Sequence, residues 1–133
     1  MSTVRFINPP SIHKPPGYTH VVEATAPGRI VYIAGQLGVD PSGKMAGDFR
    51  AQAVQAFDNL KAALEEVGGG FENVVKINMY YTDITAQLPI GREVRDRYVN
   101  TAAPPASTAV GISKLARDGA LFEIEAVAML PPR

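Results

Sequence analysis

Two carboxylates stand two residues apart, Glu123 and Glu125, in the segment "ALFEIEAVAML". On a strand that spacing sends both side chains to one face. A carboxylate in a partly dry cleft has a raised pKa and orients water as a general base; an interface salt bridge is the competing use of the same pair. Tyr18 and His20 also share a face. Tyr18 is able to stack on or hydrogen-bond a planar ligand, and His20 to titrate near neutrality, against the plainer readings of loop packing and surface placement. Arg92, Arg95 and Arg97 crowd one short segment. A guanidinium is a planar, two-pronged donor that fits a carboxylate. Yet Arg92 with Asp96, and Glu93 with Arg97, have helical spacing and would pair on a solvated face. Finally, "PPASTAVGI", Pro104 to Ile112, places two hydroxyls, Ser107 and Thr108, just after two prolines that stop what precedes them.

The elements that must position these residues follow from periodicity. "RFIN" is a short extended start, and "NPPSIHKPPG" is loop. Strands are expected over 18–26, 30–36, 73–83, 106–112 and 120–130, with a turn at "PGR" after the first of them. Strand 30–36 is apolar on both faces, with Ile30, Tyr32 and Ala34 on one and Val31 and Ile33 on the other. In 73–83, Val75, Ile77, Met79 and Tyr81 face one way and Lys76, Asn78 and Tyr80 the other. The clearest helix is "DFRAQAVQAFDNLKAALEEVGGG": Phe49, Ala53, Phe57, Leu60, Leu64 and Val67 make its apolar stripe, Asp48 its N-cap, and Gly68 to Gly70 its end. A second, shorter helix is read over 88–99, with Pro89 in its first turn and Ile90, Val94 and Tyr98 inward.

These elements predict an α+β fold, with about six strands and two helices on one sheet face. Two helices cover only one face, yet strand 30–36 is apolar on both, and Leu121, Val127 and Met129 share a face with Glu123 and Glu125. Other copies of the chain are expected to cover that face, so a homo-oligomer is predicted.

Composition narrows the function. The 133 residues fit one domain, 1–133, with a core burying roughly 65–70% of the unfolded surface. Thirteen basic and thirteen acidic residues give zero formal net charge, which argues against nucleic acid as partner. With no cysteine and only His13 and His20, seven apart, neither a thiolate nucleophile nor a metal site is expected. The sequence carries no apolar signal core or spanning segment, so a soluble, cytoplasmic protein without membrane contact is the expectation.

"PPGYTHVVEA", "VYIAGQLGVDPSGK", "QAFDNLKAALEEVGGGFENVVKINMYYTD" and "LARDGALFEIEAVAML" together resemble the Rid (reactive intermediate deaminase, YjgF-type) family, in older usage endoribonuclease L-PSP. The resemblance spans nearly the whole chain, and "AGQ" and "EIEAVA" are its most specific pieces. It implies a chorismate-mutase-like fold in a homotrimer whose sheets face inward, with a cleft between each pair of subunits. In the deaminase branch each cleft hydrolyses a 2-imino acid to a 2-keto acid and ammonia, with no metal or organic cofactor.

Carried over by position, the resemblance assigns Glu123 to positioning water and leaves Glu125 a structural carboxylate. It assigns Tyr18, Gly35 and Gln36 to lining the cleft. Ala34 precedes Gly-Gln where the deaminase branch often has serine. The family's substrate-clamping arginine follows Pro-Ala, and here Ser107 follows Pro105-Ala106, so the resemblance implies that this clamp is absent. Arg92 falls closest to a pocket-facing polar position and is a candidate replacement. Without the strand guanidinium the pocket is expected to be roomier and less cationic. Three functions stay open: hydrolysis of an imine, enamine or similar C–N bond other than standard 2-imino acid deamination, a non-catalytic ligand-binding module, and, least favoured by the charge balance, a ribonuclease or translation inhibitor.

Overall fold

The computed structural model describes residues 4–25 and 28–133. In chain order the elements are β1 (Val4–Ile7), β2 (Val21–Ala24), β3 (Arg29–Leu37), α1 (Phe49–Glu66), β4 (Val74–Tyr81), α2 (Ile84–Asp96), β5 (Ala106–Gly111) and β6 (Phe122–Leu130). A short 3-10 turn, Phe71–Asn73, leads into β4. The six strands do not form one sheet. β1 and β2 pair antiparallel by themselves, and the other four lie in the order β3-β6-β4-β5. Only β4 and β5 run parallel, joined by α2 as the crossover. The strand expected over 18–26 is ordered as a strand only from Val21. Its last residue, Ala26, and Pro27 of the expected turn lie outside the described residues.

α1 forms where its capping chemistry allows. Asp48 Oδ1 accepts from the Ala51 amide at 2.8 Å, and Gly68, at φ +82°, closes the C-terminus. Its stripe of Phe49, Ala53, Phe57, Leu60 and Leu64 is buried. These side chains meet the inward side chains of β4 and β6, among them Ile77, Met79, Phe122 and Ile124. Fully burying each large apolar side chain contributes roughly 1.5–3 kcal/mol. The rings of Phe57 and Tyr98 stack at 5.1 Å, and Phe49 and Tyr81 at 5.9 Å, tying α1 to the ends of α2 and β4.

Two expectations need correction. α2 begins four residues before the expected start, at Ile84, so Pro89 lies inside the helix rather than in its first turn. The early turn is closed by Gln87, whose Oε1 accepts from the Asp83 amide at 2.9 Å while its Nε2 donates to Thr82 Oγ1. In β4, a bulge between Val74 and Lys76 sends Val74 into the core, 1% exposed, in place of Val75.

The helices cover one face of the four-stranded sheet. The other carries Ile30 and Tyr32 of β3, 59% and 78% exposed, beside Glu123 and Glu125, Lys76, Asn78 and Tyr80. No helix among the described residues is long and apolar enough to cross a membrane.

Candidate functional site

The candidate residues fall into two groups on opposite faces of the sheet. Glu123, Ala34, Gly35 and Gln36 belong to the face without helices. There β3 is irregular: its pairing with β6 slips between Ile33 and Gln36, so Ala34 and Gly35 occupy a bulge. The Gln36 side chain folds back to donate to the Ala34 carbonyl at 3.0 Å. A Cβ placed on Gly35 would stand 2.7 Å from Glu123 Oε2, so the Glu123 carboxylate occupies the space that glycine leaves.

The two acidic residues differ in their surroundings. Glu125 Oε2 accepts from Asn78 Nδ2 at 3.0 Å and from the Tyr80 hydroxyl at 2.7 Å. Those bonds fix it in place, in accord with a structural role. The Glu123 carboxylate has no hydrogen-bond or ion-pair partner among the described residues. Burial first, and the neighbouring Glu125 charge second, hold its pKa above the ordinary carboxylate value. On the same face, burial lowers the pKa of Lys76, whose Nζ donates to Thr108 Oγ1 at 2.7 Å.

The second group lies on the helix side. Ser107 is the register partner of Ile77, whose side chain is in the core, so Ser107 points toward the helices and Thr108 away from them. Between β5 and α2 is a cavity of about 200 Å³. Leu88, Arg92 and Arg95 line it from the helix, Met79, Ser107 and Ala109 from the strands, and Pro16 and Tyr18 from the loop before β2. The sequence-predicted Tyr18, Arg92 and Ser107 are thus brought together, apart from Glu123. Tyr18 is held by a 3.2 Å hydrogen bond between its hydroxyl and His13 Nε2, and its ring meets His20 edge-on at 5.3 Å. A larger cavity, about 580 Å³, lies against the proline-rich loop and shares Tyr18 with the smaller one. No acidic residue lines it. Among the described residues no cluster of His, Cys, Asp or Glu is suited to hold a metal ion.

The arginines depart from expectation. Glu93 does pair with Arg97, at 3.4 Å, and also with Arg50 at 3.1 Å. Arg92 does not pair with Asp96; Asp96 accepts instead from Arg95 Nε at 2.9 Å. Arg92 has no hydrogen-bond or ion-pair partner among the described residues. Arg95 is only 6% exposed. Two guanidinium groups, those of Arg92 and Arg95, line this cavity from the helix. Sequence reading grouped Arg95 with its exposed neighbours, although it continues the buried stripe Gln87–Gly91 of α2.

Comparison with known proteins places this geometry among relatives. The family profile for Endoribonuclease L-PSP matches residues 11–130. A RutC family protein of Aquifex aeolicus is 35% identical over 128 residues, covering 95% of this chain and 99% of the relative. A 2-iminobutanoate/2-iminopropanoate deaminase of Dermatophagoides farinae is 32% identical over 133 residues, covering 98% and 99%. The crystal structure of a Rid-family protein of unknown function, YyfB from Yersinia pestis, superposes with a TM-score of 0.83 at 30% identity, covering 96% of this chain and 99% of that one.

Proposed function

The chain belongs to the Endoribonuclease L-PSP family, which includes the Rid and YjgF proteins, and from that premise we propose that it is a homotrimer whose intersubunit clefts bind a small metabolite and hydrolyse an imine, enamine or related C–N bond. The observation that carries this reading is Glu123, a half-buried carboxylate with a raised pKa, no partner, and a glycine cut away beside it. A relative named for imine deamination supports the reaction class.

In the proposed reaction, water on the Glu123 carboxylate adds to the imine carbon, and the carboxylate takes the water proton as the C–O bond forms. Glu123 returns that proton to nitrogen, giving a carbinolamine; it then takes the hydroxyl proton and passes it to the amine, so ammonia leaves as the carbonyl forms. A pKa raised toward the working pH favours both transfers. Tyr18 and the Gly35–Gln36 turn orient the ligand. Exposed Ile30, Tyr32 and Val110 on the face without helices support coverage by other copies of the chain. Soluble, cytoplasmic action without a cofactor is part of the same proposal.

Ser107 follows Pro105-Ala106 where the family's deaminases are expected to place a clamping arginine. That substitution separates the chain from a standard 2-imino acid deaminase, and it favours a second reading, a ligand-binding module without catalysis. The test is imine hydrolysis, with 2-iminobutanoate generated in place by a threonine dehydratase. With this standard substrate, wild type is expected to speed ketoacid formation only modestly above the spontaneous rate, and Glu123→Gln to remove that gain. An inactive wild type beside an active Ser107→Arg would support a competent scaffold serving another ligand. Inactivity of both would set the hydrolytic reading aside.

A further inference from the structure

We propose that the cavity between α2 and β5 is an anion site in which Arg95 and Arg92, both carried by the helix, hold the carboxylate of a small organic acid. The proposal rests on the reading of this cavity as part of the ligand cleft, and it adds the charge of the ligand and the residues that meet it.

Arg95 is the central observation. Its side chain is 7% exposed, and a guanidinium never deprotonates in a protein. Burying such a charge is unfavourable unless its donors are used. Only Nε is used, by Asp96, whose own side chain is 49% exposed. Among the described residues no acceptor bonds either Nη nitrogen, and neither is wholly shut off from solvent. The group is held in position: a Cβ on Gly17 would stand 2.5 Å from Nη2, so the loop backbone lies directly over the guanidinium, and Gly17 adopts φ +90°, which only glycine takes readily.

Arg92 is a second, independent observation. It stands one helical turn before Arg95 and lines the same cavity, with no counter-ion among the described residues. Like charges at that spacing oppose the helix unless something between them is negative. The remaining Nη edge of Arg95 presents two parallel N–H groups, which match the two oxygens of a carboxylate. Met79, Leu88 and Ala109 supply an apolar wall, and about 200 Å³ admits only a short chain behind the carboxylate. Ser107 adds a neutral hydroxyl. The cation that Ser107 does not provide from the strand is thus provided from the helix.

The test is calorimetric titration of the intact protein with butanoate, its neutral isostere butanamide, and inorganic phosphate. Butanoate is expected to bind at least about tenfold tighter than butanamide. Arg92→Ala, a change at an exposed position, should weaken butanoate about tenfold, and Arg95→Gln should reduce it to the amide's level. Arg95→Lys keeps the charge without the fork and should recover part of the loss. Thermal melts of each variant establish that it is folded, and Arg92→Ala keeps the test decisive if Arg95→Gln is not. Butanoate that fails to bind, that binds no better than butanamide, or that keeps its affinity in folded Arg92→Ala overturns the proposal. Phosphate binding tighter than butanoate through the same arginines overturns the carboxylate assignment. Arginine-dependent butanoate binding in a protein without imine hydrolysis would retain this site and remove the hydrolytic reading. Hydrolysis without such binding would do the reverse.

Discussion

Gly35 and Glu123 act as one steric unit, because the carboxylate sits where any Cβ at position 35 would be, 2.7 Å from Oε2 and from Cδ. The obstacle is the far end of a side chain, so Gly35→Ala should leave the fold intact and push the carboxylate aside. The expected outcome is a roughly tenfold or greater fall in kcat for imine hydrolysis with little change in melting temperature. An equal loss of stability and activity would place the glycine's role in the backbone instead. Glu123 also makes a prediction through its proton. Its pKa is raised in the folded chain, so the folded state holds the proton more tightly than the unfolded state does. Stability from this group is fully present below the unfolded pKa and is lost as pH rises through the folded one. Glu123→Gln removes that loss. It should melt higher than wild type at neutral pH, and the difference should vanish below the carboxylate range. Solvent screening of a half-buried group keeps the gain to about 1 kcal/mol or less. A melting difference independent of pH would contradict this account.

At the scale of elements, α2 is the piece that sequence reading placed least well and that the site depends on most. Proline signals a helix start, and Pro89 drew the expected start to residue 88. The true start is made by Gln87 reaching back to Asp83, a tertiary-scale choice between two local signals. Once the helix starts at Ile84, Gly91 and Arg95 fall on its buried side. Arg95 was invisible as a site residue because charged side chains at this spacing usually pair on a solvated face. The pairs expected there were half right, Glu93 with Arg97 but not Arg92 with Asp96. By contrast, α1, β3 and β6 were legible, since an apolar stripe with a cap, or strict alternation, leaves one solution. The placement of Gly91 is itself testable. A Cβ there would lie 2.2 Å from the Tyr81 hydroxyl and 2.7 Å from its ring, and that ring is fully buried between Phe49 and Phe122. Gly91→Ala should therefore destabilise the protein by about 1–3 kcal/mol in denaturant unfolding. An unchanged midpoint would mean that α2 is free to shift off β4.

At the scale of the whole molecule, the separation of the two residue groups determines what an active assembly must look like. Glu123 with Gly35 faces away from the helices, whereas Tyr18, Ser107, Arg92 and Arg95 lie on the helix side of the same sheet. One chain cannot bring both groups to one ligand across its own sheet. A second copy can, if its helix-side cavity approaches the first copy's face without helices, where Ile30, Tyr32 and Val110 remain exposed. The proposed trimer therefore makes a prediction that single-chain catalysis does not. Glu123→Gln and Arg95→Gln should each be inactive alone. Unfolded together in equal amounts and refolded, they form mixed trimers. In these, a cleft drawing its carboxylate from one subunit and its arginine from the neighbour is intact in about one quarter of cases, one half for each side. Ketoacid formation near that fraction of the wild-type rate is the expected result. No recovery, in a mixture shown to have exchanged subunits, would mean that both groups act within one chain, and the cleft would have to be sought on one face of the sheet.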